Sequence, residues 1–362
     1  MTLALRLAAK GRGTTSPNPM VGALVVRQGK VIGEGFHLRP GTPHAEILAL
    51  RQAGHRARGA TLYVTLEPCC HLKKRTPPCV PEIVRSGVRR VVIAMHDPNP
   101  LVKGRGIKQL RQGGISVTIG VAGPEAEELN KAYCHFMKAG RPYVTLKAGM
   151  TLDGKLATAT GESRWITGVP SRREAHQLRR DVDAVLVGVG TVLADDPSLT
   201  ARTGAQLETL VARQPLRIIV DSRLRTPLKA RILTQQDRAK TVIATTAAAP
   251  RARRSAFEKK GLEVFTLPAV RNRVSLPALL KLLGRRGMMS VLVEGGSEVN
   301  AAMLRGKLVD HARLYMSPML LGGQNAKGVL GGKSPARLSE AIKLRRVVTR
   351  SVGDDIVVEG DL

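Results

Sequence analysis

His44-Ala45-Glu46 stands upstream of the run Glu67-Pro68-Cys69-Cys70-His71-Leu72-Lys73-Lys74-Arg75-Thr76-Pro77-Pro78-Cys79. Thiolates and a neutral imidazole are what zinc takes, and a catalytic zinc has three protein ligands with its fourth position left to water. The metal brings the pKa of that water to about 7, so hydroxide is available at neutral pH. A neighbouring acid/base must then pass the proton to the leaving group, and Glu46 is the residue placed for it. The expected ligands are therefore His44, Cys69 and Cys79. Cys69 follows the proline directly and is the favoured member of the adjacent pair, with Cys70 as the alternative. Because His44 opens the apolar run Ile47, Leu48, Leu50, the His-Glu pair falls at a helix start, where the macrodipole favours anionic groups.

A second constellation lies far downstream. Val291-Leu292-Val293-Glu294-Gly295-Gly296-Ser297 reads as a strand, two glycines and a helix beginning near Glu298. Free amides at such a helix start bind phosphate, and glycine lets a ligand approach the backbone. Gly-Gly after a strand is also a common turn. Gly188-Val189-Gly190 looks like the start of a dinucleotide fingerprint, but Leu193 stands where the third glycine belongs, which argues against a standard Rossmann site.

The elements that must carry these residues follow from the apolar patterning. Leu3, Leu5, Leu7 and Ala8 make a first amphipathic helix. Ala23 to Val26 and Val31 to His37, joined through Gln28-Gly29-Lys30, read as a hairpin. The His44 helix comes next, then a strand from Thr61 to Leu66 that delivers Cys69, and a helix that Pro77 and Pro78 open at Cys79. Arg90 to Met95 and Ile115 to Ile119 are further strands, and Glu125 to Met137 reads as one helix. Strands alternating with helices imply a layered α/β sheet. Lys138-Ala139-Gly140-Arg141-Pro142 is the expected boundary between a first domain, 1–140, and a second, 141–362. Beyond it the pattern restarts with strands at Tyr143 to Met150, Ala184 to Gly188, Arg217 to Val220, Thr241 to Thr245 and Ser290 to Val293, and a helix over Arg172 to Arg180.

Composition narrows the classes. At 362 residues with 43% hydrophobic content, two cores are expected. No apolar run reaches the roughly eighteen residues of a membrane span, and the basic, apolar start reads better as a helix than as a targeting segment. Three of the four cysteines crowd into residues 69–79, the pattern of a cytoplasmic metal site and not of a secreted disulfide framework. The 58 Lys and Arg against 28 Asp and Glu, a net +30, raise nucleic-acid binding. Aromatic residues are only 2% of the chain, too few for base-stacking platforms, and the cations are scattered. A phosphorylated small substrate accounts for them as well.

Taken together, Pro17-Asn18-Pro19-Met20-Val21-Gly22, His44-Ala45-Glu46, Glu67-Pro68-Cys69, Thr76-Pro77-Pro78-Cys79 and Asp97-Pro98-Asn99-Pro100 resemble the deaminase half of the bifunctional riboflavin-biosynthesis deaminase-reductases. Thr151-Leu152-Asp153-Gly154-Lys155, Gly161-Glu162-Ser163-Arg164-Trp165-Ile166-Thr167, Thr191-Val192-Leu193-Ala194-Asp195-Asp196-Pro197 and Val293-Glu294-Gly295-Gly296 resemble the reductase half. The resemblance covers nearly the whole chain. It implies an N-terminal cytidine-deaminase-like three-layer α/β/α domain and a C-terminal dihydrofolate-reductase-like α/β domain. It also implies a zinc-dependent deamination of a diaminopyrimidinone ribose phosphate, followed by NADPH-dependent reduction of the ribosyl group to a ribityl chain. By motif match, Asn18, His37, His71, Arg75, Asp97 and Asn99 would line the deaminase pocket. Gly149, Trp165, Thr167, Thr191, Asp195, Ser222, Gly296, Ser297 and Glu298 would meet NADPH. Ser163, Arg179, Leu199, Arg202 and Glu294 would meet the reductase substrate, the arginines suiting its phosphate. The family also suggests a homo-oligomer formed through the reductase half.

One departure concerns the loop between the cysteines, which at nine residues is one longer than the family's usual spacing. Either the loop carries an extra residue or Cys70 replaces Cys69. The main rival, a tRNA deaminase, places two residues between its cysteines.

Overall fold

The structure is a computed structural model that describes residues 1–72, 76–204, 207, 209–211 and 213–362. The chain divides into two compact units, Met1–Gly140 and Arg141–Leu362.

In the first unit, β1 (Gly22–Arg27) and β2 (Lys30–Phe36) form the hairpin, and its tip residues Gln28 and Gly29 both take positive φ. Two such residues in succession suit the right-handed twist of the strands they join. Glycines decide how helices seat on this hairpin. A Cβ added at Gly33 would stand 2.1 Å from the Ala49 carbonyl oxygen, and one at Gly35 would stand 2.4 Å from that of Ala45. The backbone of α2 (Ala45–Ala53) therefore lies directly on β2. On the opposite face, a Cβ at Gly22 would stand 2.0 Å from the Ala4 carbonyl oxygen of α1 (Thr2–Ala9). Helices thus cover both faces, giving three layers.

The sheet runs β2-β1-β3-β4-β5, with β3 at Thr61–Val64, β4 at Arg90–Ile93 and β5 at Ser116–Ile119. β1 is antiparallel to both neighbours, whereas β3, β4 and β5 are parallel. The parallel connections carry α3 (Cys79–Arg85) and α4 (Arg105–Gln112), as crossovers must.

The single helix expected over Glu125 to Met137 is two, α5 (Gly123–Leu129) and α6 (Lys131–Ala139). Asn130 breaks it, leaving helical geometry at φ −104°, ψ 20°. Its buried amide donates to the Met20 carbonyl at 2.9 Å and accepts from the Met20 N–H at 2.8 Å. A partner so distant in sequence is invisible to local patterning.

The second unit is built on a nine-stranded sheet. In spatial order its strands are Glu263–Leu267, Thr241–Thr246, Leu216–Val220, Ala184–Gly188, Ser290–Val293, Tyr143–Thr151, His311–Ser317, Asp355–Asp361 and Arg345–Val352. The first seven run parallel, and Asp355–Asp361 is antiparallel to both of its neighbours. Ala184 to Gly188 is buried throughout, as a strand covered on both faces requires. Leu186, Ile218, Val291 and Val293 pack with Leu279, Leu280 and Leu283 of the helix Leu276–Arg285. Val185, Val187, Ile219 and Leu292 pack with Ile232, Leu233 and Phe257. The closing antiparallel pair was not anticipated from sequence. Arg345–Val352 is an edge strand with Val347 and Val348 exposed, so it lacks a buried apolar face that patterning could detect. Among the described residues no helix is long and apolar enough to cross a membrane.

Candidate active sites

His44 caps α2 with an extended backbone (φ −73°, ψ 163°), and Glu46 sits in the first turn. The imidazole is held by both of its nitrogens. Nε2 lies 3.0 Å from Thr76 Oγ1, while Nδ1 faces Cys69 Sγ at 3.5 Å and Cys79 Sγ at 3.3 Å. Such a second partner fixes the ring orientation of a metal-ligating histidine. One ligand atom from each of His44, Cys69 and Cys79 lies within 4.8 Å of the others, the only such group of three among the described residues. The cysteines are joined by backbone as well, since the amides of Cys79 and Val80 at the start of α3 donate to the Cys69 carbonyl at 3.0 and 3.3 Å. Cys70 turns elsewhere, its thiol 3.9 Å from the Leu101 carbonyl. The longer loop therefore leaves the residue after Pro68 in the cluster.

The donor set suits zinc, and Glu46 gives a further test of fit. Glu46 is 3% exposed, and its Oε2 is buried with no hydrogen-bond partner among the described residues. That is the setting of a carboxylate whose partner is a water or substrate atom. Burial pushes its pKa up, partly opposed by His44.

His37 packs edge-on against His44 with ring centroids 5.2 Å apart. Its Nδ1–H donates to the Pro43 carbonyl at 3.4 Å, which leaves Nε2 to accept from Asn18 Nδ2 at 3.0 Å. Burial, then the charge of His44, lowers its pKa, consistent with a neutral ring. Asp97 is buried, accepts from Tyr133 OH at 2.8 Å and from the Asn99 N–H at 2.9 Å, and is pushed up to about 6, chiefly by burial. Asn99 Oδ1 accepts from the Leu101 N–H at 3.0 Å. His71 is half-buried, and its Nδ1 has no hydrogen-bond partner among the described residues. Arg75 lies outside the described residues.

In the second unit a cavity of about 850 Å³ opens beside the carboxyl ends of Tyr143–Thr151, Ala184–Gly188 and Ser290–Val293. Beyond Ala184–Gly188 the chain builds the sheet outward in one direction, and it returns at Ser290–Val293. This reversal is where open α/β sheets place ligands. Gly149, Trp165, Thr167, Thr191, Asp195, Gly296, Ser297 and Glu298 all line the cavity, together with Ser163, Arg179, Leu199, Arg202 and Glu294. Ser222 does not; its hydroxyl accepts from the Val274 N–H at 3.0 Å.

Gly296 caps the helix Ser297–Arg305 without a side-chain cap, leaving amides at the helix start directed to the cavity end. A Cβ at Gly296 would come 3.3 Å from Thr191 Oγ1, so glycine keeps the two cofactor-side segments close. The indole of Trp165 is 67% exposed and stacks on the Arg172 guanidinium, 4.4 Å from the ring centroid. Size, glycine-lined wall and helix start fit a dinucleotide phosphate.

The arginines divide. Expected to meet phosphate, Arg179 is instead engaged with Glu294 through Nε (2.5 Å) and Nη2 (2.9 Å), and with the Thr200 carbonyl through Nη1 (3.2 Å). Burial alone would raise the Glu294 pKa, but Arg179 and then Lys147 outweigh it and hold the carboxylate at about 2. Arg202 donates from Nε to Thr200 Oγ1 at 3.2 Å, and its backbone N–H donates to His176 Nδ1 at 3.1 Å.

Lys147 and His176 line the cavity and escaped the sequence reading. Burial lowers both, with Arg179 adding to the effect, His176 to about 4. Lys147 also sits 5.4 Å above the Tyr315 ring. A lone cation between Leu146 and Ala148, inside an apolar strand, was the available signal for Lys147.

Comparison with known proteins agrees with this geometry. The family described as "RibD C-terminal domain" matches residues 142–358, and "Cytidine and deoxycytidylate deaminase zinc-binding region" matches residues 1–95. The chain is 45% identical to the riboflavin biosynthesis protein RibD of Aquifex aeolicus, over 99% of this chain and 96% of that one. Among solved structures, Acinetobacter baumannii RibD matches with a TM-score of 0.88 at 37% identity, covering 99% of this chain and 97% of that one. The Thermotoga maritima diaminohydroxyphosphoribosylaminopyrimidine deaminase/5-amino-6-(5-phosphoribosylamino)uracil reductase matches with a TM-score of 0.86 at 36% identity, covering 100% and 97%.

Proposed function

The chain belongs to the RibD family of bifunctional riboflavin-biosynthesis enzymes, and from that premise we propose how its residues divide the two reactions. It is a hydrolase and an oxidoreductase, using zinc and NADPH. The first unit deaminates a diaminopyrimidinone carrying a ribose phosphate, and the second reduces the ribosyl group of the product. The observation that carries the assignment is the convergence of His44, Cys69 and Cys79 beside a buried carboxyl, Glu46, whose Oε2 has no hydrogen-bond partner among the described residues.

His44, Cys69 and Cys79 hold zinc, with Thr76 fixing the imidazole. The metal supplies activation of water at neutral pH. Glu46 carries the proton to the departing amine, and its raised pKa suits a group that must both accept and donate. Asn18 and neutral His37 offer one wall for the pyrimidine, while Asp97 and Asn99 present the other, with His71 beside them.

Gly149, Trp165, Thr167, Thr191 and Asp195 would hold NADPH, and Gly296-Ser297-Glu298 its phosphate; when bound, the cofactor would supply the hydride. Ser222 is left out of this set. Arg202 faces the substrate phosphate with Ser163 and Leu199 alongside. Arg179 acts through Glu294, keeping that carboxylate ionised and aimed into the cavity.

A nucleic-acid deaminase is not favoured, because the family match extends through the reductase unit and the cysteine spacing is far longer than two residues. The exposed Val347 and Val348 on an edge strand support a homo-oligomer formed through the second unit. Clustering of cysteines at the metal site supports a cytoplasmic location. Assaying ammonia release and NADPH oxidation on one purified sample tests the assignment. A protein that performs neither, with zinc bound, refutes it.

A further inference from the structure

We propose that Glu67 is a positioning residue of the deaminase site, locking the segment that presents Asp97 and Asn99 into register with the Cys69 loop; the inference rests on the deaminase reading above. Glu67 follows β3, two residues before Cys69, and is 2% exposed. Its Oε2 accepts from the N–H groups of Asp97 (3.3 Å) and Gly104 (3.0 Å), and Oε1 accepts from that of Ile107 (3.2 Å). Its own N–H donates to the Met95 carbonyl at 3.0 Å. His96 Nδ1 approaches Oε2 at 3.4 Å from the solvent side.

The three amides belong to one stretch, from Asp97 to the first turn of α4. That helix has Gly104 as its cap residue, with no side-chain cap of its own. Ile107 is the third helical residue, whose amide an N-cap side chain ordinarily takes. Glu67 supplies that oxygen from the loop that follows β3. The fit is close, since a Cβ at Gly106 would stand 2.2 Å from the Pro68 carbonyl oxygen and 3.2 Å from Glu67 Oε1. The start of α4 therefore rests on the two residues that lead into Cys69. Asp97 hangs from a peptide held in this way; its Oδ1 accepts from the Asn99 N–H and Asn99 Oδ1 from the Leu101 N–H, so both side chains brace the same loop. One carboxylate thus sets the distance between a metal ligand and two substrate-facing side chains.

A carboxylate accepts at both oxygens, whereas a carboxamide accepts at one and donates from the other. Whichever way the carboxamide of the Glu67→Gln variant turns, it leaves either the Ile107 amide or the Asp97 and Gly104 amides facing a donor. The test compares the full-length, zinc-loaded wild type with Glu67→Gln and Gly106→Ala. Bound zinc, steady-state ammonia release and amide hydrogen exchange over residues 97–107 are measured for each. Glu67→Gln is expected to keep wild-type zinc, raise KM for the diaminopyrimidinone by about tenfold or more, and change kcat less. Exchange over 97–107 rises, and NADPH oxidation with the deaminated compound stays at the wild-type rate. Gly106→Ala moves the same readouts in the same direction, and decides the matter by itself if Glu67→Gln does not fold. Unchanged KM, unchanged exchange, or loss of zinc in place of a KM effect overturns the proposal. A wild type that releases no ammonia overturns the deaminase reading instead, and hydrogen exchange then tests the positioning alone.

Discussion

Replacing Arg179 by Met tests whether the pair it forms with Glu294 is a buried ion pair that organises the reductase cavity. The two side chains are 15% and 9% exposed, so the scale for buried pairs applies and not the smaller one for surface pairs. Met keeps the stem but removes two charge-assisted bonds to Glu294 and one to the Thr200 carbonyl. It leaves Glu294 without its bidentate partner, at an expected loss of about 3 to 5 kcal/mol at neutral pH. The sign of the pH dependence follows from the carboxylate. Its pKa is depressed in the folded protein, from 4.5 to about 2, so the stability it contributes is present above 4.5 and lost as pH falls through about 2. In Arg179→Met the depression is relieved, Glu294 protonates at higher pH, and the gap from wild type narrows as acid is added. The only tryptophan of the chain, Trp165, belongs to the second unit, so its fluorescence during urea titration follows that unit. The double variant Arg179→Met/Glu294→Gln removes both charges and is expected to be closer in stability to wild type than Arg179→Met alone. A loss below about 1 kcal/mol, the range of exposed pairs, or a gap that does not change with pH refutes the reasoning.

Three further outcomes are expected. Cys79→Ser loses zinc and ammonia release together, while Cys70→Ser keeps both, because only the former removes a donor from the cluster; metal analysis beside the ammonia assay checks it. Glu46→Gln keeps its zinc but slows ammonia release by about 100-fold or more. Given the diamino compound it oxidises almost no NADPH, and given the deaminated compound it does so at the wild-type rate; rapid oxidation of NADPH with the diamino compound would show that reduction does not wait for deamination. Asn130→Ala leaves the Met20 backbone amide and carbonyl without their partner, lowering stability by about 1 to 3 kcal/mol, read by calorimetric melting of the full chain.

What the sequence disclosed depended on how local the signal was. His44, Glu46 and the Cys-rich loop were legible because residue type and short spacing carry the metal chemistry. The alternation of strands and helices was legible for the same reason, since each buried parallel strand is a short apolar run. Choosing between Cys69 and Cys70 needed coordinates, because adjacent residues of one type differ only in where the backbone turns them. Arg179 read as a phosphate ligand because its partner, Glu294, lies 115 positions away and becomes a neighbour only through the sheet. Lys147 was hidden inside a strand whose apolar neighbours drew attention to the core. The break at Asn130 and the edge strand Arg345–Val352 escaped for complementary reasons. One depends on a distant loop, and the other lacks the buried face that makes a strand visible.

The seating of α2 on β2 has an implication for how this enzyme tolerates change. Gly33 and Gly35 bring helix backbone against strand backbone, so the height of the helix above the sheet is set by main-chain atoms together with the Cβ atoms of Leu48 and Ala53. Substitutions that shrink apolar residues elsewhere in the first unit loosen packing without moving this mechanical stop. They are therefore free to drift in thermal tolerance while His44 and Glu46 keep their place. Any side chain introduced at Gly33 or Gly35 acts in the opposite way, lifting the helix as a wedge and dragging both residues off the cysteines even where the unit stays folded. Stability and catalytic geometry in this unit are consequently governed by different sets of positions, which sequence variation can explore separately.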